Sequence, residues 1–98
     1  MSRRLVIRPA AESELSEAYQ WYETQRQGLG SEFLLSVEAA LALIQRNPEL
    51  HPLIHREIRR ALIRRFPFGV FYIVEGGTVH VLAVFHGKRN PKQWQERV

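Results

Sequence analysis

The residues best suited to chemistry lie together in the stretch VFHGKRNPKQW, residues 84–94 of a 98-residue chain. A histidine, three cations and a tryptophan occupy a Gly/Pro/Asn-rich exit from what reads as the last strand of a sheet. His86 can serve as a general base, or it can simply hydrogen-bond the turn that follows. Lys88 and Arg89 are anion-binding donors, and Arg89 has the planar fork that carboxylates and phosphates match in bidentate fashion. His86 is therefore a candidate general base, although no second proton-transfer partner accompanies it. Trp94 reads as a packing residue that ties the exit back onto the body of the protein, with base stacking as its functional alternative, and Trp21 reads as packing too. His51 and His55 are four apart, but Pro52 lies between them and no third ligand is near, so no metal site is expected. His80 reads as a half-buried strand histidine. The sequence shows no Ser/His/Asp order, phosphate-binding glycine loop or paired inward carboxylates, so it supports no hydrolase chemistry of those kinds.

Composition narrows the classes further. The chain is 45% hydrophobic and 24% charged, as expected of one globular domain spanning residues 1–98. It has no cysteine, which excludes disulfide frameworks, thiolate zinc sites and cysteine nucleophiles. No cofactor is implied. The amino-terminal LVI run is too short for a signal peptide's apolar region or a membrane span, so a cytoplasmic location and no membrane partner are expected. Fourteen Lys and Arg face ten Asp and Glu, a net charge of +4, and the excess is unevenly placed. Acids crowd residues 12–49, whereas from Arg56 onward nine cations face only Glu57, Glu75 and Glu96. That asymmetry points to a polyanionic partner, either nucleic acid or an acidic protein segment.

The elements that must position these residues follow from periodicity. RLVIR reads as a short opening strand, and Pro9 suits the first turn of a helix because its missing amide is not needed there. Leu15, Ala18, Tyr19 and Tyr22 have the spacing of one buried face. Gly28 and Gly30 are expected to end this helix, and Ser31 to cap a second with apolar face Phe33 or Leu34, Val37, Ala40, Leu41 and Ile44, ending at Asn47-Pro48. Two helices joined so tightly form a hairpin.

From Glu57 the period becomes two. EIRRALIRRF alternates poorly and is expected to form an edge strand with a bulge. FGVFYIVE and TVHVLAVFH are clearer, with Gly76-Gly77 as a two-residue hairpin turn. An unbroken register from that turn places Phe68, Val70, Tyr72, Val74, Val79, Val81, Ala83 and Phe85 on the face that the helices cover. The other face would carry Phe71, Ile73, Leu82 and Val84 with His80 and His86. Two helices leave nothing to cover this second face, so it is expected to be an open apolar and basic surface that binds a partner. Arg59, Arg60, Arg64 and Arg65 would flank it as an arginine-rich edge able to grip phosphates or an acidic peptide. The fold class is α+β, a two-layer β-α-α-β-β-β domain.

The segment RRFPFGVFYIVEGGTVHVLAVFHGKRNPKQW, preceded by a strand and a glycine-linked helix pair ending in Asn-Pro, resembles the RelE/ParE superfamily of bacterial type II toxin-antitoxin toxins. Its most specific parts are FPFGVFY and HGKRNPxxW. The resemblance implies a growth-inhibiting toxin held in a hetero-oligomer by a cognate antitoxin, with an antiparallel sheet whose first strand lies beside the last. RelE-like members cut messenger RNA on the ribosome with basic residues and often a carboxyl-terminal tyrosine, whereas ParE-like members poison DNA gyrase. Gly69 stands where a RelE-type nuclease has its strand arginine, and only Trp94 lies near the tyrosine position, so the ParE-like branch fits better. Arg89 matches the basic residue after the last strand in both branches. The alternatives are a histidine-based nuclease built on His86 and Arg89 and a non-toxic relic that only binds antitoxin.

Overall fold

In the computed structural model, which describes residues 3–97, the hairpin at Gly76-Gly77 organises the sheet. Both glycines take positive φ, 55° and 81°, as a tight two-residue turn joining twisted strands requires. They connect β4 (Phe68–Glu75) to β5 (Thr78–His86). β1 (Arg4–Ile7) pairs with β5, β3 (Ile58–Leu62) with β4, and a short β2 (Leu53–His55) with β3, giving the order β1-β5-β4-β3-β2. The pairing of β1 with β5 is parallel, so the expected antiparallel sheet is in fact mixed. The crossover that parallel pairing needs is supplied by α1 (Pro9–Gln25) and α2 (Leu29–Arg46). β3 is not the edge, because β2 lies outside it.

The helices cover one face of the sheet. α1 buries Ala11, Glu14, Ala18 and Tyr22, and α2 buries Gly30, Phe33, Val37 and Ile44, both at one-turn spacing. Tyr22, Phe33, Phe66 and Phe68 pack ring against ring beneath them, with centroids 4.9–6.1 Å apart. The helix boundary falls earlier than the sequence suggests. Gly28, at φ 88°, is the cap of α2, while Ser31 lies inside the helix. No side chain of α2 caps its own amino terminus. The Glu23 carboxylate reaches over from α1 instead, accepting the N–H groups of Gly28 at 3.0 Å and Gly30 at 2.9 Å, which satisfies two amides that would otherwise lack partners.

The register of the central hairpin breaks once. From Glu75↔Thr78 to Tyr72↔Val81 the strands pair without interruption, but Phe71 then pairs with Ala83, leaving Leu82 as an extra residue in β5. A bulge of this kind moves every later side chain of the strand to the opposite face. Val84 therefore faces the helices, and Ala83 and Phe85 face away from them, the reverse of the unbroken register. The second face is not open either. Ile58, Phe71, Ile73, Leu82, Ala83 and Phe85 form a second, smaller core closed by Trp94, which sits on α3 (Lys92–Gln95) and stacks on Phe71 with centroids 4.5 Å apart and planes 25° from parallel. Trp94 thus packs as expected, whereas Trp21 is 59% exposed.

The hairpin between the helices can be tested at Gly30. A Cβ at this position would stand 2.7 Å from the Tyr19 carbonyl oxygen and 2.9 Å from Glu23 Oε1, whereas a Cβ at Gly87 would meet its nearest neighbour, Pro67 O, at 3.7 Å. Gly30→Ala should cost about 1–3 kcal/mol by forcing the helices apart, and Gly87→Ala should stay within about 0.5 kcal/mol. Urea unfolding of the two variants beside the wild type measures both.

Candidate functional site

The exit segment is fastened by an ion pair between a buried carboxylate and a half-buried guanidinium. Arg97 Nη2 donates to Glu14 Oε2 at 2.8 Å and Arg97 Nη1 to Glu14 Oε1 at 3.0 Å. Glu14 also accepts the Val84 N–H at 3.0 Å, and Arg97 Nη1 donates to the Leu82 carbonyl at 3.0 Å. These two backbone groups lie just past the point where β1 leaves the sheet, since Arg8 N–H donates to Val81 O as the chain turns into α1. Neither Glu14 nor Arg97 was singled out by sequence reasoning. The available signal was an acid at one-turn spacing between Ala11 and Ala18, on the helix face that must be buried.

With the segment so placed, a groove of about 430 Å³ opens at the end of β4 and β5, lined by Arg60, Gly69, Phe71, Phe85, His86, Arg89 and Trp94 among others. Of the predicted residues it gathers Arg60, Phe71, His86, Arg89 and Trp94. The turn is folded back on Pro67, whose carbonyl accepts Gly87 N–H at 2.8 Å. His86 Nδ1 accepts the Lys88 N–H at 3.1 Å, so the neutral imidazole carries its proton on Nε2. In that tautomer Nε2 is a donor and Nδ1 already holds the Lys88 N–H, so the imidazole can take a proton from a substrate hydroxyl only after that hydrogen bond breaks. Arg89 spreads over the Phe85 ring, 5.1 Å from its centroid.

A second groove of about 440 Å³ runs between α2 and β3. Leu35, Leu43 and Leu62 give it an apolar floor and wall, and Arg46, Arg64 and Arg65 provide cations. Leu35 and Leu62 are 65% and 69% exposed. Arg65 and Arg26 each lie 2.9 Å from Glu32, and their hydrogen bonds, Arg65's foremost, hold its carboxyl below the usual range. His51 also lines this groove, and burial, aided by the nearby Arg59, pushes its pKa down. Sequence reasoning missed Leu35, Leu43 and Arg46. The signal was a second apolar stripe at Leu35, Ala39 and Leu43, one step round α2 from the buried face.

Several predicted residues belong to neither groove. Arg59 ties down the turn at Pro48–Leu50, donating to His51 O at 2.6 Å and Glu49 O at 3.3 Å. Ile73 and Leu82 are core residues. Val84 is buried under the helices. Lys88 is exposed on the turn. Tyr72 is no stand-in for a catalytic tyrosine, because its hydroxyl donates to Pro48 O at 2.5 Å and burial pushes its pKa up to about 12. Among the described residues, no group of three or more His, Asp and Glu side chains could hold a metal, and no helix is long and apolar enough to cross a membrane.

This architecture, a helical hairpin on a mixed five-stranded sheet, is also that of a chain from the chromosomal ParDE TA system of P. aeruginosa. The two superpose with a TM-score of 0.77 at 16% identity, over 87% of this chain and 96% of that one. The sequence model of the family described as ParE toxin of the type II toxin-antitoxin system, parDE, matches residues 5–91. The chain belongs to this ParE toxin family. It is also similar to Toxin ParE2 of two Mycobacterium tuberculosis strains, CDC 1551 and H37Rv, 28% identical over 92 residues that span 93% of this chain and 88% of the relative.

The ion pair makes a stability prediction. Arg97→Ala leaves Glu14 nearly buried without its counter-charge and should cost about 2–4 kcal/mol. Adding Glu14→Gln, which removes the stranded charge but keeps an acceptor for Val84 N–H, should recover part of that loss. Guanidinium unfolding of the single and double variants checks the order.

Proposed function

We propose that this toxin inhibits DNA gyrase by contact, without catalysis of its own, and that a cognate antitoxin neutralises it in a cytoplasmic hetero-oligomer. The observation that carries the non-catalytic reading is the hydrogen bond from Lys88 N–H to His86 Nδ1. It occupies Nδ1 of the imidazole in the groove where His86 and Arg89 meet, and Gly69 brings no side chain to that groove. Cleavage of RNA would need a base for the ribose hydroxyl and stabilisation of the phosphorane charge, and His86 could supply the first only by giving up its hydrogen bond to Lys88 N–H. Family membership supports an antitoxin partner. The α2–β3 groove is the seat we assign to it, since exposed Leu35, Leu43 and Leu62 beside Arg46 and Arg64, with Arg65 already paired to the one acid of the groove, Glu32, suit an acidic segment with apolar anchors. This replaces the expected open surface of Phe71, Ile73, Leu82 and Val84, all of which the protein buries itself, the first three under Trp94 and Val84 under the helices.

The purified protein should inhibit gyrase supercoiling or trap cleaved DNA, and should leave messenger RNA intact on translating ribosomes. Arg89→Ala should lose most of the inhibition with little change in melting temperature, because the cation–π contact it gives up is worth about 0.5–1 kcal/mol at an exposed site. Arg89→Lys should recover only part, having charge without the fork. Codon-dependent transcript cleavage in a purified translation system would contradict the reading.

A further inference from the structure

Gly69 and Arg60 are joined by packing. They lie diagonally across the β3–β4 pair, on the face turned away from the helices, and the Arg60 stem crosses the space that a side chain at 69 would fill. A Cβ on Gly69 would stand 3.1 Å from Arg60 Cγ and 3.2 Å from Arg60 Cδ. The absent side chain leaves the room that the Arg60 stem occupies as it lines the exit groove with Arg89; a Cβ at 69 would press the stem by a few tenths of an ångström and a branched side chain by more. The groove's walls are otherwise largely aromatic, and among the described residues no acidic side chain lines it. Arg60 Nε is buried and has no hydrogen-bond partner among the described residues. A guanidinium held this way retains an unmet donor, which an anion entering the groove can satisfy once the group turns toward it.

We propose that the exit groove is a carboxylate-binding site in which Arg60 and Arg89 are the two cations and Gly69 is the positioning residue that seats Arg60. Its occupant is an acidic, apolar-flanked stretch of the antitoxin. Two observations favour a peptide over a nucleic-acid strand. The walls are mainly apolar, matching side chains rather than a phosphate backbone, and Trp94, the aromatic best suited to stack a base, is already covered by Phe71 and buried. Continuity selects the antitoxin as the source. Leu62, largely exposed, lines both this groove and the α2–β3 groove, so one extended segment seated in the second can cross Leu62 and place a carboxylate in the first. Such a segment would cover Arg89, on which the inhibitory activity is proposed to depend. The inference rests on the assignment of the α2–β3 groove to the antitoxin.

The test measures fluorescence anisotropy of a short labelled peptide alternating glutamate and leucine, titrated with wild type, Arg60→Gln, Gly69→Val, their double variant, Leu35→Ser and a charge-matched control, Arg4→Ala, on the far strand. An oligothymidylate of equal charge is the second probe. Valine suits a strand position, so Gly69→Val should fold, and melting curves confirm that each variant does. Arg60→Gln should weaken peptide binding about tenfold or more, the loss of a charge-assisted contact. Gly69→Val should weaken it comparably and add nothing in the Arg60→Gln background, because it acts through Arg60. Arg4→Ala should leave binding unchanged. The proposal is overturned if the wild type shows no saturable peptide binding, if the oligothymidylate binds more tightly than the peptide, or if Gly69→Val weakens binding equally with and without Arg60. If Leu35→Ser weakens the peptide while Arg60→Gln and Gly69→Val do not, the α2–β3 seat stands and the carboxylate site falls.

Discussion

The ion pair between Glu14 and Arg97 does the work of a missing strand. β1 is only four residues long, so the outer edge of β5 is paired as far as Val81 and has no strand beside it after that. A sheet edge left bare inside a small protein carries unpaired amides and carbonyls, which are costly if buried and sticky if not. Here the carboxylate of Glu14 takes the Val84 N–H, and the guanidinium of Arg97 serves the Leu82 carbonyl. Each ion is thereby hydrogen-bonded as well as paired, the condition under which a buried ion pair recovers its desolvation cost. Because Arg97 comes from beyond the last strand, the same bonds fix the carboxyl-terminal segment across the sheet. The stacking of Trp94 on Phe71 and the shape of the exit groove both depend on that placement.

The bulge at Leu82 is the second half of this arrangement. It brings the Leu82 carbonyl and Val84 amide to positions the ion pair can reach, and it turns Phe85 toward the segment, where Arg89 and Arg97 lie over its ring at 5.1 and 5.0 Å. Its consequence for the fold is a core on each side of the sheet. The larger lies under the helices and the smaller under a single tryptophan. A face that an unbroken register leaves open for a partner is in this way closed by the chain itself.

What the sequence disclosed, and what it did not, follows from where its patterns are ambiguous. The turn at Gly76-Gly77 has a local cause, and the two strands around it were legible with their starting register. The bulge was not, because Leu82, Ala83, Val84 and Phe85 are all apolar and either face assignment satisfies the pattern. Parallel pairing of β1 and the short β2 were illegible for a different reason: strand order is set by long-range packing, not by local spacing. The excess of positive charge after Arg56 was plain, but its division was not. Arg59 holds a turn, Arg60 lies over Gly69, Arg64 and Arg65 border the helix groove, and Arg65 is also paired with Glu32. Adjacent arginines on a strand point to opposite faces, so a run that reads as one patch becomes contributions to several surfaces. Of the candidate site, His86, Arg89 and Trp94 were legible as one exit segment and Arg60 only as part of an arginine-rich edge, while the glycine beside which Arg60 joins them was visible only as a gap.

Whether Glu14 stands in for a strand is tested most directly by amide hydrogen exchange at Val84, measured relative to Val79 and Val81 of the same strand in the wild type and in Glu14→Ala. In the wild type, Val84 should be protected to a degree similar to the two valines that have strands on both sides. In Glu14→Ala its protection should fall about tenfold or more relative to theirs, the signature of a local opening rather than a loss of global stability. Equal loss at all three amides, or no loss at Val84, would contradict the account.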